Sequence, residues 1–152
     1  MVLLVCPRAF DASWVAQLDS GFRDVFARRT PFALVTDTTA VASMPGPLER
    51  KALTDWASRP DQLALQKELN VGSSTVVKSA LMRGGLQALY WFWTPASPQH
   101  AARDFDEAWA WCLAKLDERR VALPHPPREL RRLADRDRAL ADDQAMPAPR
   151  GR

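Results

Sequence analysis

The chain has 152 residues, 47% of them hydrophobic, enough for one core and too few for two ordinary domains. Its formal net charge of +3 comes from 21 basic against 18 acidic residues, so charge alone gives no reason to expect a nucleic-acid partner. The opening run "MVLLVC" lacks the basic lead and cleavage site of a signal peptide, and no apolar run approaches the ~20 residues of a spanning helix. We therefore expect no membrane insertion and a cytoplasmic setting, in which Cys6 and Cys112, both among apolar neighbours, are free thiols in a core.

Taken in chain order, Met1 to Val5 reads as a short strand ended by Pro7. Trp14, Leu18, Phe22, Val25 and Phe26 then recur at helical spacing, with Asp11 placed to cap the helix and Arg28-Arg29 at its close. "PFALVTD", Pro31 to Asp37, is a compact buried strand. After the loop "TTAVASMPGP", Pro47 opens a helix with Leu48, Ala52, Leu53 and Trp56 on one face, and Pro60-Asp61 starts another that runs to Leu69.

"STVVKS", Ser74 to Ser79, alternates and is β-branched, as a strand should be, and Gly72 before it reads as part of a turn. Leu81, Gly85, Ala88, Leu89 and Phe92 next fall on one helical stripe that ends at Pro95. Tyr90 and Trp91 point away from that stripe, which makes them candidates for a binding surface. A short extended piece around "PQHAAR" leads to a helix capped by Asp104 or Asp106, with Trp109, Trp111, Cys112 and Leu116 inward. Strands and helices alternate, so the fold class is α/β with a small, largely parallel sheet.

From Val121 the composition shifts to "ALPHPPREL" and then to a charged run poor in large apolar groups. We divide the chain into a domain over 1–120 and a proline-rich linker with a charged, flexible, disordered tail over 121–152, allowing one marginal helix around Glu129 to Leu140.

No arrangement of chemistry-bearing residues stands out. His100 and His125 read as surface or loop residues without a metal-ligand spacing, and neither a P-loop nor a GxGxxG is present. We assign no catalytic, metal or cofactor residues. An enzyme would have to draw Asp37, Ser43, His100 and Asp104 together at the strand ends.

The order "FALVTD", a Pro-bearing loop, a helix, "STVVKS", a helix, a short strand and "FDEAWAWCLAKL" resembles STAS-like domains, the fold of anti-sigma-factor antagonists and their lipid-carrier-like cousins. Phe105, Glu107, Ala108, Trp111 and Leu113 carry the match in the last helix. Ser43 stands near the place of the phosphorylated serine of the antagonists, but no Asp precedes it and Pro45 follows. The resemblance implies a non-enzymatic regulatory module that binds a protein partner or a second copy of itself. Its expected contact residues are Ser43, Met44, Leu48 and Arg50 with Tyr90 and Trp91. The alternative is a carrier of a small apolar ligand or lipid, with Trp14, Trp56, Trp91 and Trp93 bordering the cavity.

Overall fold

A computed structural model describes residues 1–11, 13–43, 45–85 and 95–145, with side chains to residue 141. Four strands, β1 (Val2–Val5), β2 (Phe32–Asp37), β3 (Asn70–Val76) and β4 (Gln99–Ala102), pair in chain order into one all-parallel sheet. The helices are α1 (Trp14–Ala27), α2 (Pro47–Ala57), α3 (Pro60–Leu69), α4 (Phe105–Glu118) and α5 (Pro127–Ala145). Residues 80–85 are also helical. The fold is thus α/β, as the alternation of patterns predicts.

Because each strand is laid down beside its predecessor in the same direction, right-handed crossovers put the connecting helices on one face of the sheet. Leu18, Phe22 and Phe26 of α1 and Leu69 of α3 accordingly meet Phe32, with Val2, Leu4 and Leu34 beside them. The two-residue period of β2 sends Ala33 and Val35 to the other face. There they join Val76 and Ala102 under Phe105, Ala108, Trp109, Cys112 and Leu116 of α4. Asp104 caps α4 by accepting from the Glu107 N–H at 2.9 Å. Asp11 does similar work for α1, accepting from the Trp14 N–H at 3.1 Å.

One expectation needs correction. β3 begins four residues before Ser74, because Asn70 supplies the hydrogen bonds that a turn would otherwise need. Its Nδ2 donates to Gln66 Oε1 and to Ser73 Oγ, both at 2.8 Å, and its Oδ1 accepts from the Gly72 N–H at 3.0 Å. Gly72 is therefore a strand residue, and its missing side chain makes room for an indole: a Cβ there would lie 2.9 Å from the ring of Trp111.

The charged C-terminal segment holds the helix that the sequence allows around Glu129 to Leu140, longer than expected. Pro127–Ala145 is a 19-residue helix, and its described part is docked on the α4 side of the sheet. Ala134 is buried and Leu130 packs beside it. Arg131 bonds Asp106 at 2.6 Å and lies 4.7 Å from the Phe105 ring. Arg138 reaches Asp37, as set out below.

The two thiols are buried, as expected of core cysteines. Burial raises Cys6 from 9.0 to about 11, with the Asp37 charge adding to the effect, and burial raises Cys112 to about 12. Below pH 9 both folded and unfolded chains keep these protons. Between pH 9 and the raised values the unfolded chain releases protons that the native one holds, so stability falls as pH rises. We expect the urea midpoint to drop between pH 9 and 11, and to drop less in Cys6→Ala. Equal slopes in the two proteins would show that the thiol is not the cause.

Candidate functional site

A largely apolar cleft of about 900 Å³ lies among the described residues on the α1 face, at the C-terminal end of the strands. Its floor is Leu4, Leu34 and Thr36 of the sheet, one wall is Trp14, Leu18 and Phe22 of α1, and the other is Leu53 and Trp56 of α2. The loop after β2 adds Val41, Ser43 and Pro45 to the lining, and Lys78, Ser79 and Met82 line it as well. Helical spacing explains the walls, since Trp14, Leu18 and Phe22 are successive i, i+4 positions that present one stripe.

Aromatic contacts hold these walls. Phe10 meets Trp14 edge to face at 4.8 Å, and Phe22 meets Trp56 at 5.3 Å. Behind Trp56 sits Asp19, buried on α1, whose carboxylate accepts from the indole Nε1 at 2.9 Å and from Arg59 at 2.5 Å. The Arg23 guanidinium on the same carboxylate, with Arg59 and Trp56, holds Asp19 down to about 2. It therefore stays ionised across the physiological range and pins α2 to α1. A second basin of about 470 Å³ surrounds this cluster. Its arginines already pair with Asp19, Asp61 and Glu68, which leaves little unsatisfied charge for a ligand.

The residues that an enzyme would have to assemble are used separately. Asp37 is 2% exposed and faces the α4 side, with Oδ1 accepting from the Thr39 N–H at 2.9 Å and Oδ2 accepting from Arg138 Nε at 2.5 Å. Ser43 borders the cleft on the opposite face. His100 of β4 stacks on Trp111 with ring centroids 5.3 Å apart, and its Nε2 lies 3.1 Å from Glu107 Oε1. The sequence reading missed this acidic partner; the seven-residue separation crosses a strand-to-helix turn, where helical spacing is no guide. Asp104 is occupied as the α4 cap. Among the described residues, no group of three or more His, Cys, Asp or Glu could hold a metal ion, and no helix is long and apolar enough to cross a membrane.

Of the expected partner-contact residues, Ser43, Leu48 and Arg50 are exposed. Leu48 is 80% exposed and so lies off the buried stripe of α2, where Leu53 and Trp56 do the packing. Arg50 donates to the Pro45 carbonyl at 2.9 Å. Met44, Tyr90 and Trp91 lie outside the described residues, as do Phe92 and Trp93. Of the four tryptophans expected around a ligand, Trp14 and Trp56 do line one cleft. Comparison with family models, curated proteins and solved structures finds no match.

Proposed function

We propose that this chain is a non-enzymatic binding domain that takes up a small apolar ligand in the cleft of its α1 face. The observation that carries the reading is the size and lining of that space. About 900 Å³ whose walls include four leucines and four aromatic rings falls within the ~300–1,000 Å³ of small-molecule sites, where apolar walls are the rule and a few polar groups set orientation. The element order that resembles the lipid-carrier-like relatives of STAS domains supports the same reading.

Native mass spectrometry of protein purified from cells, followed by titration with 1-dodecanol, tests it. A bound small molecule or saturable alkanol binding is expected, and Trp14→Ala should weaken the alkanol by about tenfold, near 1.4 kcal/mol. A clean apo mass together with no alkanol binding would remove the carrier reading.

The second reading, a STAS-like regulatory module for a protein partner or a second copy, is favoured by Leu48 at 80% and Leu81 at 88% exposure. In that case Leu48→Asp would release a co-purifying protein or split a dimer while leaving alkanol binding unchanged.

A further inference from the structure

Resting on the carrier reading, we propose that the ligand is an anionic amphiphile, an apolar body ending in a carboxylate that pairs with Lys78. The cleft is electrically one-sided. Among the described residues that line it, Lys78 is the only charged group, and the polar residues beside it, Thr39 and Ser79, carry hydroxyls.

Nor do the described residues neutralise the lysine. Its Nζ has one weak partner among the described residues, the Thr39 carbonyl at 3.4 Å, and no carboxylate within 4.0 Å. Asp37, the acid at the end of the neighbouring strand, is turned to the other face and held by Arg138. Arg83 donates to the carbonyls of Val77 and Lys78, both at 2.7 Å, fixing the backbone that carries the lysine and adding positive charge beside it.

Lys78 is exposed where it lines the cleft, so the pair it forms is solvated. The apolar body supplies most of the affinity and the lysine sets which end points out. The discrimination it gives is accordingly modest, about fivefold, on the scale of one exposed ion pair.

The experiment compares dodecanoate with 1-dodecanol by calorimetry, below their aggregation limits, on the wild type, Lys78→Gln and the control Lys51→Gln. Dodecanoate should bind about fivefold tighter than the alcohol in the wild type and in Lys51→Gln, and the two should bind alike in Lys78→Gln. Dodecyl phosphate, run beside them, shows whether a dianionic end is held better; a clear preference for it would replace the carboxylate. Equal binding of acid and alcohol in the wild type would overturn the anionic head while leaving the apolar site standing. A preference that survives Lys78→Gln would overturn the assignment to this lysine. Binding of none of the probes would end both this inference and the carrier reading.

Discussion

Phe22→Ala should destabilise the protein by about 3–5 kcal/mol, the range for a large aromatic removed from a core. Phe22 is 5% exposed and stands where three rings meet, with centroids 5.5 Å from Phe26, 6.5 Å from Phe32 and 5.3 Å from Trp56. The void would open toward the cleft, and the neighbouring rings are held by α1, β2 and α2, so they have little freedom to collapse into it. Denaturant unfolding monitored by circular dichroism measures the loss. A cost below about 1 kcal/mol would show that the site repacks and that the cleft walls are softer than the ring contacts imply.

The second large effect is expected at Asp37. Removing one partner of a buried ion pair leaves the other charge and its hydrogen bonds uncompensated, a loss of about 3–5 kcal/mol when both groups are deeply buried. Asp37 is, at 2% side-chain exposure, but Arg138 keeps 27% and can turn toward water, so Asp37→Ala should cost about 3 kcal/mol, the lower end of that range. Arg138 also lies 4.0 Å from the Phe105 ring, which makes this residue the main fastening of α5 near its C-terminal end. Proteolysis within 127–141 should therefore accelerate in Asp37→Ala and in Arg138→Ala. The double variant should be more stable than the sum of the two single losses predicts. Strict additivity, with α5 still protected, would mean that the apolar contacts of Leu130 and Ala134 hold the helix unaided.

That helix marks where sequence reasoning loses its grip. The α1 stripe of Trp14, Leu18, Phe22 and Phe26 and the β-rich runs at 2–5 and 32–37 are plain because each buries large apolar side chains at a fixed period. α5 buries one alanine and part of Leu130, and otherwise docks through two arginines laid on aromatic rings. Such contacts leave a charged, low-hydropathy segment that resembles a solvated tail. The usable signal was Leu130, Ala134, Arg138 and Ala141 at steps of four, four and three, with an arginine in the place of an apolar residue.

The candidate site was half legible for a related reason. Trp14 and Trp56 announce themselves as large rings on amphipathic helices, whereas Lys78 follows a strand and gains meaning only because no acidic neighbour stands beside it among the described residues. Asp37 shows the converse. Its position at a strand end invites a catalytic reading, yet the alternation along β2 turns it away from the cleft.

The strictly sequential strand order carries a consequence for how the chain is assembled. Each strand pairs with the one synthesised just before it, so the sheet can grow from the ribosome outward, with α1 to α3 covering one side as they emerge. Among the described residues, the helix that covers the other side first is Phe105–Glu118. Before it appears, Ala33, Val35 and Val76, fully buried in the finished fold, face water on a half-made sheet, and β3 and then β4 present an open edge. A chain stalled before α4 would thus display a bare apolar surface beside an unpaired strand, the combination most prone to join with another copy. α4 therefore shields this surface only after the whole sheet has been made, and α5 adds to the cover after it.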